Sequence, residues 1–231
     1  MSENIKKITK AFVVDLDSRE NQSIILKPSA RPFNNQAHQV DKVAEKIAEK
    51  IYNLIEGAKH PNDDTILNHS EIKEAFFSPF EPQLKDAQVF LSHSHADRNK
   101  ALEVKNYLES KTNHRVFIDS LFWDYKDNIV KEMSKNDNTS KIEDAFTLIL
   151  RESLQNMIEK CPYFVFLQSN NSVSNQGLSR TTYSALKIAH SIRESRLTPM
   201  MESWQVFHDI SPFLENLETI TLKELSQQIN S

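Results

Sequence analysis

Three short apolar runs, each closed by small or polar residues, constrain this chain more than any other feature. Val89-Phe90-Leu91, Val116-Phe117-Ile118 and Tyr163-Phe164-Val165-Phe166-Leu167 show no polar alternation. Each therefore suits a strand covered on both faces rather than one with a wet side. Between the first two runs, Ser92 to Asp97 breaks the pattern, and Asp97 stands where it can cap a helix. In that helix Ala101, Val104, Leu108 and the flank of Tyr107 fall on one face. Two buried strands joined by one helix predict a right-handed βαβ unit with parallel strands. Ligands of such sheets bind where strands end, because loops and helix N-termini gather there. That reasoning gathers His93, Ser94, His95, Asp119, Phe122 and Trp123 on one rim.

The rest of the chain extends the same pattern. Residues 11–14 and 23–26 are strand-like and separated by the polar D-S-R-E-N turn, which predicts a hairpin. Residues 37–57 carry Val40, Val43, Ala44, Ile47, Ile51, Leu54 and Ile55 at helical spacing, with Gly57 as a stop. Residues 70–77 read as a short helix, and the prolines of 78–82 as a boundary. Residues 1–84 are thus expected to form an N-terminal extension of hairpin and amphipathic helix, and 85–231 the main domain. In that domain a long helix over 141–160 buries Ile142, Ala145, Phe146, Ile149, Ser153, Met157 and Ile158, and Pro162 prevents its continuation. Q-S-N-N-S-V-S follows the third strand and joins the rim. A helix over 179–194, strands at 197–201 and 218–222 and a last helix over 222–229 complete the expectation. The fold class is α/β, with a parallel sheet of four or five strands.

Composition removes several function classes. The chain has 231 residues and a formal net charge of −4, so broad attraction to nucleic acid is not expected. One cysteine, Cys161, excludes an internal disulfide framework and a cysteine-rich zinc site. His93 and His95 have no clustered third ligand, so no metal is expected. Two glycines in the whole chain leave no G-x-G-x-x-G and no P-loop. No apolar segment approaches the roughly 20 residues that span a bilayer. The opening M-S-E-N-I-K-K-I-T-K lacks the apolar core of a signal peptide. The expected compartment is the cytoplasm, with no membrane partner.

V-F-L-S-H-S-H-A-D, V-F-I-D-S-L-F-W and Y-F-V-F-L-Q-S-N-N-S-V-S, in this order, together resemble a TIR (Toll/interleukin-1 receptor) domain of the bacterial kind over about residues 86–225. The resemblance implies a flavodoxin-like sheet of about five parallel strands flanked by helices. It implies that the loop from Ser120 to Lys126 is mobile over the pocket. It also implies cleavage of NAD, releasing nicotinamide and forming ADP-ribose or a cyclic or conjugated relative. In anti-phage systems of the Thoeris kind that product is a messenger for a separate effector protein. The nucleotide-lining residues it implies are Ser92, His93, Ser94, Asp119, Phe122, Trp123 and Tyr183. Self-association is a further implication, to which the apolar stripe from Val40 to Ile55 adds a surface.

The family's catalytic glutamate opens the helix after the third strand, in a pattern that looks like S-P-W-x-Y-x-E-L-K. Here the stretch is S-R-T-T-Y-S-A-L-K, residues 179–187. Ser179, Tyr183, Leu186 and Lys187 match; Arg180 and Thr181 replace Pro and Trp, and Ala185 takes the glutamate's place. No acid occurs between Gly177 and Arg193. The position matters because the pyridinium of NAD leaves without a general acid, while positive charge builds on the ribose. A carboxylate beside the sugar positions it and stabilises that charge; alanine does neither. Losing such a group costs about two to four powers of ten in rate, so the chain as it stands is expected to be nearly inactive. Two accounts are open: Ala185 replaces a native glutamate, or the protein is a TIR pseudoenzyme that acts by homotypic assembly. A receiver domain would need clustered acids at the first strand end, where S-H-S-H stands instead.

The bland readings remain beside these. Asp97 reads as a helix cap and Cys161 as core. Phe122 and Trp123 suit stacking on a base or docking on the core. Arg180 suits a phosphate or open solvent.

Overall fold

The computed structural model describes residues 10–25, 49–51, 53–54, 69–77, 86–118, 131, 149, 154–173, 214 and 217–230. The chain divides into two compact units. Met1–Ala30, Asp86–Ser120 and Leu154–Ser231 form one; Arg31–Lys85 and Leu121–Ser153 form the other. Residues 10–25, expected in the N-terminal extension, thus belong to the unit that holds the sheet.

The first unit is an α/β, flavodoxin-like parallel sheet flanked by helices. Its strands are β1 (Lys10–Asp15), β2 (Ala87–His93), β3 (Arg115–Ile118), β4 (Tyr163–Gln168) and β5 (Glu218–Thr219), in the order β3-β2-β4-β1-β5. Every pairing is parallel. The uninterrupted apolar runs explain this burial: Val89, Phe90, Leu91, Phe164, Val165, Phe166 and Leu167 are all fully buried. Phe90 is in register with Phe117 on one side and Phe164 on the other, with ring centroids 5.8 and 5.9 Å apart. Aromatic neighbours at this spacing contribute beyond the area they bury.

Helices among the described residues of this unit include α1 (Arg19–Ile25), α3 (Arg98–Lys111), α4 (Asn170–Val173) and α5 (Leu222–Gln228). In α3, Ala101, Val104 and Leu108 are buried, the face expected from their spacing, and the helix packs on β2 and β3. α1, α3 and α5 pack on one another. Thr221 starts α5 with a reciprocal cap: its hydroxyl accepts the Glu224 N–H, and the Glu224 carboxylate accepts the Thr221 N–H. Residues 154–160 are also helical, with Leu154, Met157 and Ile158 buried. Cys161, at the junction to β4, is core.

One expected element is different. Ser23, Ile24 and Ile25 do not form the second arm of a hairpin; they belong to α1, and Leu26 lies outside the described residues. Both edges of β1 are occupied, by β4 and by β5, so no edge is left for a hairpin partner. The turn after β1 instead starts a helix, with the Ser18 hydroxyl accepting the Asn21 N–H and the Ser18 carbonyl accepting the Gln22 N–H. Asn21 is buried and joins distant parts of the unit: its amide donates to the Asp15 carbonyl at 2.7 Å and its oxygen accepts the Leu222 N–H at 2.9 Å.

In the second unit, α2 (His69–Phe77) follows the expected 70–77 helix and buries Ile72 and Ala75. Residues 49–51, 53 and 54 are helical, with Ile51 buried. The expected strand at 197–201 and helix at 179–194 lie outside the described residues, as does Gly57. Among the described residues no helix is long and apolar enough to cross a membrane.

Candidate functional site

Open parallel sheets bind ligands at the C-terminal strand ends, where neighbouring connections lead away in opposite directions. β2 occupies that position. The chain leaves it through α3 to β3 on one side, and β4 lies on its other side. Register aligns the three relevant exits: His93 of β2 lies beside Leu167, and Gln168 of β4 beside Asp15 of β1. The residues following these strands form one polar rim.

The strand places the first expected site residues inside the fold rather than in a loop. Ser92 and His93 remain in β2, in register with Phe166 and Leu167, and are 0% and 3% exposed. Pairing with β4 thus carries the strand two residues past the point where the apolar run ends. Ser94 is the first residue beyond the strand; its carbonyl accepts the Asp97 N–H at 2.8 Å, closing a short 3-10 turn over His95–Asp97. Asp119, Phe122, Trp123, Tyr183 and Ala185 lie outside the described residues. Among the described residues no group of three or more His, Cys, Asp or Glu is placed to hold a metal ion.

Asp97 does not act as the cap its sequence position suggests. Its side chain makes no capping bond to α3 and is 1% exposed. It turns to the loop after β4, where the Ser169 hydroxyl donates to Oδ2 and the Asn171 amide donates to Oδ1 at 2.8 Å. A buried carboxylate is costly unless donors meet it, and these two meet it from one short segment, Ser169 and the start of α4.

A second acid completes the rim. Asp17, after β1, accepts the Asn170 N–H at 2.7 Å through Oδ2 and the Lys100 ammonium at 3.1 Å through Oδ1. The same ammonium lies 3.5 Å from Asp97 Oδ1. The Asn170 N–H holds the Asp17 carboxyl below its ordinary value; burial opposes this and Lys100 adds to it. Burial pulls the Lys100 ammonium down, but bonding to Asp17 and the charges of Asp17 and Asp97 outweigh it, so its pKa stands above the ordinary lysine value. Ser169 also caps α4, accepting the Asn171 and Ser172 N–H groups at 3.0 and 3.2 Å, while the Ser172 hydroxyl accepts the Ser169 N–H at 2.8 Å.

The rim therefore unites residues the sequence names, Ser92, His93 and Ser94 with Ser169, Asn170 and Asn171 of the Q-S-N-N-S-V-S run, and two it does not, Asp17 and Lys100. The loop after β4 was legible as rim from its polar run. Asp17 was not, because its strand read as part of a separate hairpin. Set beside known proteins, the chain matches no family model, no curated protein and no solved structure.

Proposed function

We propose that the protein is a TIR-type NAD-cleaving enzyme, an NAD glycohydrolase or an ADP-ribosyl cyclase or transferase. Its product is an ADP-ribose-derived signal in bacterial anti-phage defence, working in the cytoplasm through a separate effector. Ala185 stands at the place of the glutamate, and the chain as it stands is nearly inactive. The observation that carries this reading is the polar rim at the C-terminal end of β2: Ser92 and His93 end the strand and Ser94 and His95 follow it, where the sheet's connections diverge, beside the polar loop after β4. A carboxylate at position 185 would supply the charge that the ribose demands as nicotinamide leaves.

Ala185→Glu is the decisive variant. Nicotinamide release and the mass of the second product are followed beside the unsubstituted chain. The expected result is release at least about 100-fold faster in the glutamate form. No release from either form, with phage triggers supplied, would overturn the enzyme reading.

The lack of any acid between Gly177 and Arg193 favours one second reading, a silent TIR module that works by assembling with copies of itself. Sedimentation showing a strict monomer with and without NAD would overturn that reading.

A further inference from the structure

We infer that Asp17, Lys100 and Asp97 form a charge clamp through which the first strand of the chain positions the loop after β4 for ligand binding on the rim. Three successive residues there, Ser169 and the first two of α4, are each held by one of two acids. Ser169 and Asn171 bond Asp97, which follows β2, and Asn170 bonds Asp17, which follows β1. Lys100, in the first turn of α3, reaches both carboxylates. The loop is thus gripped from both neighbouring strands, and neither grip is local in sequence.

Stability alone is a poor account of this arrangement. Burying Asp97 carries a desolvation cost that an apolar side chain of similar size would avoid, whereas a satisfied ionic network fixes one geometry. The cap at Ser169 already closes α4 by itself. The clamp adds a fixed position for the loop relative to β1 and β2. That loop begins two residues after Leu167, which lies beside His93, and runs on in sequence to residues 179–187. Asp17, Lys100 and Asp97 are positioning residues: they act through the loop and need not touch the ligand. The ligand half of this inference rests on the NAD reading above; the clamp itself does not.

The test uses the full chain and two substitutions, Asp17→Ala and Asp17→Asn. Asparagine keeps an oxygen for the Asn170 N–H and loses the charge that holds Lys100; alanine loses both. The first readout is amide hydrogen exchange. Asp17→Ala is expected to speed exchange at Asn170 by about tenfold, the scale of one charge-assisted hydrogen bond, while β2 and β4 stay protected and Asp17→Asn falls between. Unchanged exchange at Asn170, or equal loss throughout the sheet, overturns the clamp.

The second readout places both substitutions on Ala185→Glu and measures nicotinamide release. KM is expected to rise about tenfold in Asp17→Ala, with kcat nearly unchanged and partial rescue by Asp17→Asn, since a loop that only binds contributes equally to ground and transition states. Local loosening with an unchanged KM overturns the positioning role and leaves the NAD reading standing. If Ala185→Glu releases no nicotinamide and the unsubstituted chain binds no NAD by calorimetry, the NAD reading falls together with the ligand half, and exchange at Asn170 decides the clamp.

Discussion

At the residue scale, Asp97 and Asp17 show how far a side chain's position differs from its use. The sequence places Asp97 directly before a helix, the ordinary station of a cap. Its bonds run instead to Ser169 and Asn171, which lie 72 and 74 residues further along. Asp17 bonds Asn170 across 153 residues. No local pattern encodes partners at such separations. The pH dependence of stability should report the Asp17 pair. Its folded pKa lies below the ordinary 3.8, so the ionised form's contribution is complete above that value. It is lost as pH falls through 3.8 toward the folded value, where the unfolded chain takes up the proton first. Asp17→Asn is therefore expected to flatten the fall of the urea midpoint between about pH 5 and pH 2. An unchanged slope would contradict the pairing. Lys100 acts at the other end of the scale: its raised pKa contributes stability below 10.5 that is lost as pH rises through the folded value.

At the element scale, the buried strands β2, β3 and β4 and the helix α3 were legible because each announces itself within a window shorter than fifteen residues. An unbroken apolar run or a helical repeat is a local property. The second hairpin arm was not legible for the opposite reason. Ser23-Ile24-Ile25 suits a strand by composition, but a strand needs an edge, and β1 has none free. The helix that forms there is locked by Asn21, which bonds the Asp15 carbonyl and the Leu222 N–H together. Asn21→Ala should therefore cost more than the loss of an ordinary cap. About 2 to 3 kcal/mol is expected, since one buried and one part-buried backbone group lose their partner, against about 1 kcal/mol for Thr221→Ala at the start of α5. Urea unfolding of the two variants side by side checks the order, and a smaller loss for Asn21→Ala would show that the bridge is dispensable.

At the scale of the whole molecule, β1 alters what the first residues mean. Counted from β2, the sheet runs second, first, third strand, then β1, then β5. A sheet wound steadily onward would set its next strand where β1 lies. Removing residues 1–18 takes away the shared neighbour of β4 and β5. The truncated chain is expected to lose cooperative thermal unfolding followed by circular dichroism; unfolding within a few degrees of the full chain would contradict the central role of β1. The sequence by itself determined the α/β class, the buried runs of β2, β3 and β4, the face that α3 buries and the polar character of the rim, because burial and periodicity are written into neighbouring residues. Only the tertiary structure decided that the first strand lies inside the sheet and that two acids from separate strand ends hold one loop. Strand order and charge pairing are chosen by contacts between segments far apart in the chain, each competing for the same edge or donor, and a single segment carries no record of which competitor wins.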